Sequence, residues 1–600
     1  MAVVERDTVD ETWTQIWGEN KTNRNHYYEM RLRLENDDNV ELAIVFRAFD
    51  DGFAFRYEGE VKGADSILIA DELTEFNFGD DGDSWSIPAS FDSYEFLYRK
   101  MPLSNLIHAN TPMTFRLDNG LYGSVHEAAL TDYPEMTLMR KDALSFRAEL
   151  ASWPDGVKAR YAGGRFSSPW RTVQVGRQAV DLINSALILN LNEPCALQGD
   201  LNWIKPMKYV GIWWGMHLGI QTWTMDERHG ATTDHAKRCI DFAADNKVDA
   251  VVFEGWNEGW ETWGGRQHFD FTKPYADFNV DEILAYARER NVEVICHHET
   301  GANIPNYERQ LERAYQWLDS LGVQAVKTGY SGDLPDGHCH HGQYNVRHYR
   351  DVVLTAAKHH CVLDVHEPIK PTGIRRTYPN MMTQEGVRGM EWNAWSEGNP
   401  PSHHEILPFT RMLAGPLDYT PGTFDILFKK VRNASERQLW NGNTSGDNRV
   451  WTTICKQLAN WVILYSPLQM ASDMVENYEG HPCFQFFRDY NADCDWSRAL
   501  QGEIGEYVVV VRRAGDTFFL GATTNEQPRR LMVPLDFLPE GVHFTATIYK
   551  DALDADWKFN PTAYEIEVRK HLSREAVLEM VLSQGGGQAV VMSVEMSEED

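Results

Sequence analysis

The chain has 600 residues, of which 42% are hydrophobic and 12% aromatic, as in a folded protein of roughly two to four domains. Its formal net charge of −31 opposes binding to nucleic acid and to anionic membrane surfaces, because both attract basic surfaces. Its longest apolar runs are far shorter than the roughly 20 residues of a transmembrane helix, so no membrane span is expected.

The first part of the chain alternates apolar and polar residues in short runs. Examples are MRLRLE, ELAIVFRAF, GFAFRYEGE, LSFRAEL and ALILNLN, and turn residues separate them. This alternation is typical of half-buried antiparallel strands. Residues 1–208 are therefore predicted to form an N-terminal β-sandwich.

From residue 209 the pattern changes to continuous apolar runs that alternate with amphipathic helices. YVGIWWGM, VDAVVFEG, VEVICHHE, VQAVKTGYSG and CVLDVHEP read as parallel strands covered on both faces. Repetition of strand and helix over residues 209–500 favours a central (β/α)8 TIM barrel, and an open doubly wound sheet is the alternative.

After residue 500 the short alternating runs return, as in EYVVVVRRAG, DTFFLGATT and HFTATIYK. Residues 501–600 are therefore predicted to form a small C-terminal β-sandwich. The fold class predicted from the sequence is a multidomain protein with a TIM barrel between two β-domains.

The ends of the chain and its cysteines carry no further signal. The N-terminal stretch MAVVERDTVDETW has no basic start and no apolar core, so no secretion signal is expected within this sequence. The eight cysteines lie far apart and form no CxxC pair, so neither a zinc motif nor a redox motif is predicted.

Carboxylates follow several predicted barrel strands. CHHET contains Glu299, VHEP contains Glu367, and QEGVRGMEW contains Glu385 and Glu391. Any one of them alone reads as a solvated loop residue. Together they are expected to converge, because catalytic groups in a barrel lie at the C-terminal ends of the strands.

Glutamates that converge in this way suit the hydrolysis of glycosidic bonds. This reaction requires one protonated carboxyl for the leaving oxygen and one ionised carboxylate for the anomeric carbon. The 20 tryptophans supply flat apolar faces on which sugar rings can stack. Carboxylates in excess of two favour a hard cation, and Ca²⁺ fits better than Zn²⁺ because no HxH or HExxH spacing is present.

Several segments resemble glycoside hydrolase family 97, and in particular its inverting, calcium-dependent α-glucosidases of the starch-utilisation type. The resemblance extends in order from residue 10 into the C-terminal domain, through GIWWGM, EGWNEGWETW, HHETGANIPNYERQ, HEPIKPTGIRRTYPN, EGVRGMEW and LPFTRMLAGPLDYTPG. It implies an exo-acting α-glucosidase that hydrolyses terminal α-linked glucose from malto-oligosaccharides with inversion.

The resemblance also assigns roles to individual residues. Glu391 matches the general acid, and Glu367 and Glu299 match the general base carboxylates. The residues that match calcium ligands are Glu95, Glu367 and Glu385, and those that match positions contacting sugar are His297, Asp333 and His366.

One position separates the two mechanisms of the family. Retaining members carry a nucleophilic aspartate where this chain has Gly329, in VKTGY. Inversion is therefore expected, with the acid and base carboxyls about 6.5–9.5 Å apart, and Asp333 and Asp336 are weaker candidates for a nucleophile.

Other consequences of the resemblance concern location and assembly. Family members usually begin with a signal peptide and further strands, so the N-terminal domain is expected to be incomplete and the protein periplasmic or secreted. An oligosaccharide is the expected partner of a monomer or weak homo-oligomer. The alternatives are an α-galactosidase of the same family and a non-catalytic carbohydrate-binding protein.

Overall fold

A computed structural model describes residues 2–36, 40–263, 268–367, 369–431, 437–438 and 448–595. Within these ranges the chain forms an N-terminal β-domain, a parallel barrel and a C-terminal β-domain, so the predicted fold class is confirmed. No helix within these ranges is long and apolar enough to cross a membrane.

The N-terminal domain contains antiparallel sheets and two short helices. Its largest sheet has ten strands among the described residues and a four-stranded sheet accompanies it. The strands are β1 (Ala2–Thr14), β2 (Thr22–Glu35), β3 (Val40–Phe49), β4 (Gly52–Val61), β5 (Ser66–Ile69), β6 (Glu75–Asn77), β7 (Gly82–Ser86), β8 (Arg99–Pro102), β9 (His108–Asn110), β10 (Met113–Leu117), β11 (Tyr122–Ala128), β12 (Met136–Asp142), β13 (Ser145–Leu150), β14 (Ala159–Ala162), β15 (Arg165–Ser167) and β16 (Trp170–Gly176), and the helices are α1 (Ala179–Ile183) and α2 (Leu187–Asn190).

One predicted strand of this domain is wrong. ALILNLN, residues 186–192, contains helix α2 instead of a strand. Leu187, Ile188 and Leu191 are buried in a small apolar cluster with Trp170. A short apolar run that is buried on several sides does not distinguish a strand from a helix, because neither periodicity is visible in it.

The central barrel places seven strands side by side in the order β22-β21-β20-β19-β18-β17-β23, all parallel. The strands are β17 (Met207–Ile212), β18 (Ala250–Phe253), β19 (Glu293–Glu299), β20 (Ala325–Gly329), β21 (Val362–Val365), β22 (Met381–Gln384) and β23 (Leu468–Met470). An isolated parallel bridge between Gln384 and Leu417, and a hydrogen bond from Leu417 N to Tyr465 O, occupy the place of the remaining strand. The barrel is therefore nearly closed.

Helices of varied length surround the barrel. They are α3 (Trp214–His217), α4 (Thr233–Asp245), α5 (Val280–Glu289), α6 (Ile304–Leu321), α7 (Gln343–Lys358), α8 (Trp392–Trp395), α9 (Pro401–Ile406), α10 (Ile454–Ile463), α11 (Val475–Tyr478) and α12 (Phe484–Asp489). The side chains of Thr232 and Asn303 cap the N-termini of α4 and α6, and Gly322 ends α6 at a positive φ of 71°. Capping side chains and a C-terminal glycine are common signals for the start and the end of a helix.

The C-terminal domain contains a six-stranded sheet and a two-stranded sheet among the described residues. Its strands are β24 (Trp496–Glu503), β25 (Tyr507–Ala514), β26 (Thr517–Thr524), β27 (Arg529–Pro534), β28 (Phe544–Asp551), β29 (Tyr564–Leu572), β30 (Val577–Leu582) and β31 (Gly587–Val594). Strands β17 and β24 begin a few residues before the domain boundaries expected at residues 209 and 501.

A buried ion pair joins the barrel to the C-terminal domain. Lys456 of α10 lies 2.6 Å from Glu405 of α9, and neither side chain is exposed to solvent. The Lys456 ammonium also donates to the carbonyl of Thr524, at 2.8 Å, and the Thr523 hydroxyl donates to Glu405, at 2.7 Å. Both charges are thus satisfied by groups from two domains.

We expect Lys456→Met to destabilise the protein by about 3–5 kcal/mol, because it leaves the Glu405 carboxylate buried without its cation. Burial already raises the pKa of Glu405, although Lys456 opposes this shift. The loss should therefore be smaller at low pH, where Glu405 accepts a proton, and should grow as the pH rises above about 4.5. The midpoint of thermal unfolding, followed across pH, measures this effect.

The matched control is Lys550→Met, because Lys550 pairs with Glu567 at 2.9 Å on the partly exposed surface. This control should cost no more than about 1 kcal/mol. An equal loss of stability in the two variants would contradict the prediction.

Candidate active site

A pocket with a volume of about 140 Å³ opens at the C-terminal ends of the barrel strands. Acidic, basic and aromatic side chains line it together. They are Glu95, Trp213, His217, Trp223, Glu254, Trp260, Trp263, His297, Glu299, Lys327, Gly329, Ser331, His366, Glu367, Glu391 and Trp395. The pocket lies where a barrel places its catalytic groups.

The barrel glutamates singled out from the sequence do meet at this end. Glu299 is the last residue of β19, and Glu367 follows β21 after one intervening residue. Glu385 comes directly after β22, and Glu391 immediately precedes α8. Parallel strands side by side therefore deliver all four carboxylates to one edge of the barrel.

The chain bends between Glu385 and Glu391. Gly386 has a positive φ of 55°, which a residue with a side chain adopts only with strain. The guanidinium of Arg388 lies 4.1 Å from the centre of the Trp392 ring and donates to Asn399 at 2.8 Å. Glu385 is buried and does not line the pocket, whereas Glu391 lines it.

Glu95, Glu367 and Glu385 form an acidic cluster in which one oxygen of each lies within 4.8 Å of the others. Glu95 comes from the N-terminal domain and accepts a hydrogen bond from the Trp392 indole at 2.7 Å. Burial raises the pKa of all three carboxyls. Repulsion from neighbouring carboxylates raises the pKa of Glu367 and Glu385 further.

This cluster fits a hard cation. Its side-chain donors are all oxygens, as Ca²⁺ prefers, and a divalent charge would offset the repulsion among them. A second cluster contains Asp364, His366 and Asp418, also within 4.8 Å. There burial and the charge of Asp418 raise the pKa of Asp364, although the Lys327 ammonium opposes this shift. Burial also opposes ionisation of Asp418, but His366 and Lys327 outweigh it and lower the pKa of Asp418, so this cluster already has a cation beside it.

Glu299 and Glu367 form the next pair of acidic groups. Glu299 accepts a hydrogen bond from Gly301 N at 2.6 Å, and Glu367 accepts one from Tyr330 N at 2.7 Å. Burial and the charge of Glu95 raise the pKa of Glu367 to about 8, and burial with the charge of Glu367 raises the pKa of Glu299 well above its usual range. Glu367 also has a strained backbone, with a φ of 44°.

Glu391, the carboxyl that matches the general acid, is held in its protonated form. Burial and the charges of Glu95 and Glu367 raise its pKa well above the usual range of a glutamic acid. His217 is its nearest basic neighbour, with Nε2 3.8 Å from the Glu391 carboxylate. Burial lowers the pKa of His217 to about 3, so this imidazole is neutral at pH 7 and Glu391 keeps its proton.

Lys327 is a central residue of the site that the sequence analysis did not identify. Its ammonium lies 3.0 Å from Glu254, and both residues are buried in the pocket wall. Burial opposes ionisation of Glu254, but Lys327 and two histidines outweigh it and lower the pKa of Glu254 to about 2. A lysine within the apolar run of strand β20 was the available signal, because burying a lone ammonium is costly.

Two of the three residues predicted to contact sugar line the pocket, and the third does not. His297 and His366 line the pocket, and His366 Nε2 lies 2.7 Å from Asp418. Asp333 is exposed in the loop after β20 and does not line the pocket. The pairing of His366 with Asp418 was missed because Asp418 lies 52 residues away in the chain.

Gly329 makes room for a catalytic candidate. A Cβ atom placed on it would overlap the Oε2 atom of Glu299 and would lie 3.6 Å from Oε2 of Glu367. The glycine at the end of β20 is thus a steric condition for the position of Glu299. A carboxylate side chain at position 329 is incompatible with this arrangement.

Tryptophans form much of the remaining wall. The rings of Trp223 and Trp260 are stacked with their centres 5.6 Å apart, and the imidazole of His297 continues the stack 5.9 Å from Trp260. Flat apolar faces beside charged groups suit a sugar, which has apolar ring faces and polar edges. A protonated carboxyl, ionised carboxylates and these faces can together bind and hydrolyse a glycoside.

A barrel with this site has the architecture of a glycoside hydrolase. Three family models agree: a glycosyl hydrolase 97 N-terminal model over residues 1–194, the glycoside hydrolase 97 model over 213–387, and a glycosyl hydrolase 97 C-terminal, oligomerisation model over 493–593. The chain belongs to glycoside hydrolase family 97 and is a glycosidase. Enzymes of known structure support this conclusion and leave the non-catalytic alternative without support.

The chain is similar to a family 97 enzyme from Pseudoalteromonas sp. strain K8, solved in complex with acarbose. The identity is 41% and the TM-score 0.93, over 99% of this chain and 92% of that chain. A glutamate-to-glutamine variant of that enzyme, in complex with panose, gives the same values. The chain is also 28% identical to a retaining α-galactosidase of Bacteroides thetaiotaomicron, over 98% of this chain and 88% of the relative.

We expect Gly329→Ala to lower kcat about 100-fold, because the added methyl group displaces the Glu299 carboxylate by roughly 1 Å or more. Steady-state hydrolysis of a glycoside cleaved by the wild-type protein measures the loss. The control is Gly79→Ala, since a Cβ on the exposed Gly79 meets no atom within 4 Å. Unchanged kcat in Gly329→Ala, with the fold intact by circular dichroism, would refute this role of the glycine.

Proposed function

We propose that the protein is an exo-acting α-glucosidase that releases terminal glucose from α-linked gluco-oligosaccharides with inversion, with Ca²⁺ bound beside the site. Glu391 is the general acid, and Glu367 with Glu299 forms the general base. The observation that carries the proposal is Gly329, which leaves no nucleophile at the end of β20 and makes room for Glu299.

The protonation states support this division of roles. A general acid needs a proton at neutral pH, and burial with nearby carboxylates raises the pKa of Glu391 accordingly. A general base must be ionised, so Glu367 needs a neighbouring positive charge to lower its pKa. Lys327 supplies part of this charge, since it lowers the pKa of Glu367.

The remaining positive charge is assigned to Ca²⁺, held by Glu95, Glu367 and Glu385. When bound, such an ion supplies electrostatic stabilisation of the ionised carboxylates. The proton transfers are carried out by residues of the chain itself. Glu367 and Glu299 orient the attacking water and accept its proton, and Glu391 delivers a proton to the leaving oxygen.

The form of the pocket supports removal of terminal sugars. It is a small cavity with tryptophans around it, and the acidic groups lie inside it. His297 and His366 lie in the pocket wall, which supports their contact with the sugar hydroxyls. Asp333 is exposed outside the pocket and would need to move to reach the sugar.

One similar enzyme and one residue of this chain favour specificity for glucose over specificity for galactose. A glutamate-to-glutamine variant of the Pseudoalteromonas enzyme, which is 41% identical, is known in complex with panose, a trisaccharide of α-linked glucose. The relative named a retaining α-galactosidase is 28% identical and supports α-galactosidase activity as the second candidate. Retention requires a nucleophile, and Gly329 supplies none.

Assembly into homo-oligomers fits the same picture. The family model that matches residues 493–593 is described as a C-terminal, oligomerisation domain. This description supports a homo-oligomer in solution, in place of the monomer that the sequence analysis left open.

Time-resolved NMR of maltose hydrolysis tests the activity, the sugar released and the stereochemistry together. We expect β-glucose from the non-reducing end to accumulate before mutarotation, because inversion converts the α-linkage to a β-product. Glu391→Gln is the control, and its reaction should not exceed the background. The reducing-end glucose of maltose leaves as its own mixture of anomers, so an excess of α-glucose over that mixture would refute inversion. Faster hydrolysis of an α-galactoside than of maltose would favour the second candidate.

Removal of Ca²⁺ with a chelator should abolish most of the activity, and added Ca²⁺ should restore it. Glu385→Gln should weaken Ca²⁺ binding, measured directly by isothermal titration calorimetry, by about tenfold or more because one anionic ligand is lost. The matched control is Glu258→Gln, since Glu258 pairs with Lys273 at 2.7 Å away from the cluster. If calorimetry detects no Ca²⁺ binding to wild-type protein from which the metal and then the chelator have been removed, the metal assignment is refuted.

A further inference from the structure

The three domains meet around a second cavity, separate from the active-site pocket. It has a volume of about 270 Å³, and none of its lining residues lines that pocket. The charged residues in its wall are Glu19, Arg24, Arg375 and Arg512. Three arginines and one glutamate make this cavity locally positive in a chain whose net charge is −31.

Each domain contributes one of the central charges. Glu19 lies between β1 and β2 of the N-terminal domain, Arg375 follows β21 in the barrel, and Arg512 belongs to β25 of the C-terminal domain. One Glu19 oxygen lies 3.0 Å from Arg375 Nη2, and the other lies 3.8 Å from Arg512 Nη2. The single carboxylate therefore bonds one guanidinium directly and approaches the second without a hydrogen bond.

The two guanidinium groups are buried and incompletely bonded. Arg375 is 7% exposed and Arg512 is 3% exposed. Among the described residues, Arg375 Nε and Arg512 Nη1 have no hydrogen-bond partner. Their other hydrogen bonds are to backbone carbonyls, such as Arg512 Nε to Val462 O at 2.6 Å, and the Arg512 guanidinium lies 4.5 Å from the centre of the Tyr465 ring. Two buried cations thus share one carboxylate and retain free N–H groups.

Arg24 does not change this balance. Its guanidinium is largely exposed and forms a bidentate pair with Asp10, at 2.8 and 2.9 Å. The excess positive charge therefore belongs to Arg375 and Arg512. A buried charge that lacks a counterion is costly, and burial accordingly lowers the pKa of Arg375.

We propose that this cavity binds a small inorganic oxyanion, such as sulfate or phosphate, between Arg375 and Arg512 and beside Glu19. Planar guanidinium groups match the spacing of oxyanion oxygens and bind them through paired N–H donors. The cavity is large enough for such an ion with some of its water. The bound anion would offset the excess positive charge where the three domains meet and stabilise their contact.

The experiment measures thermal unfolding of the full chain against sodium sulfate, with sodium chloride at matched ionic strength as reference. A specific site gives a saturating rise in the unfolding midpoint, whereas the general stabilising effect of sulfate rises without saturation. Isothermal titration calorimetry with sulfate gives the dissociation constant independently. These measurements do not depend on the glycosidase activity or on Ca²⁺.

Variants with opposite expected effects make the test sharp. Glu19→Gln removes the competing carboxylate and should strengthen sulfate binding several-fold, with a larger saturating rise in the midpoint. Arg512→Met should weaken sulfate binding by about tenfold or more, because the variant loses at least one charge-assisted hydrogen bond to the ion. Arg513→Met is the matched control, because Arg513 is the next residue of β25 but pairs with Asp495 at 2.7 Å. It should bind sulfate as the wild type does.

The proposal fails if the wild-type protein shows only a linear, unsaturated response, or if all three variants respond alike. It also fails if chloride stabilises the protein as much as sulfate does, because the site would then not select an oxyanion. If Arg512→Met does not fold, the Glu19→Gln variant alone decides the test. Weaker sulfate binding in Glu19→Gln than in the wild type would then overturn the proposal.

Discussion

Glu95, Glu367 and Glu385 present oxygen atoms within 4.8 Å of one another, and their repulsion has to be offset by protons or by a cation. The whole acidic end of the barrel depends on how that repulsion is resolved. Lys327 offsets it on one side, where its ammonium lies 3.0 Å from Glu254 and opposes the rise in the pKa of Glu367. The side that contains Glu95 has no comparable ammonium group among the described pocket residues, which explains why the two halves of the site differ in proton affinity.

The N-terminal domain is part of the chemistry and not only a neighbour of it. Its Glu95 reaches the pocket because Tyr94 stacks on His341 of the barrel, with ring centres 4.1 Å apart, and Trp392 donates to the Glu95 carboxylate. A barrel without this domain would lack one wall of its acidic cluster. Domain docking and completion of the site are therefore one event in this protein.

The sequence predicted those parts of the site that are local in the chain. Glu299, Glu367, Glu385 and Glu391 follow strands, and strand ends can be recognised from apolar runs. Lys327 and Asp418 were missed because their importance comes from groups far away in the sequence. Asp333 was placed in the site by resemblance, but a loop position is not fixed by a strand, and its side chain points into solvent here. Helix α2 was taken for a strand since its apolar run is buried on several sides.

The overlap between a side chain at position 329 and the carboxylate of Glu299 has an evolutionary meaning. The two positions cannot vary independently, because a side chain at one excludes the observed placement of the other. Descent from an ancestor with an aspartate there would have required linked changes in two neighbouring strands, with each substitution unfavourable until the other was present. Such epistasis would separate the members of the family into groups that single mutations rarely connect.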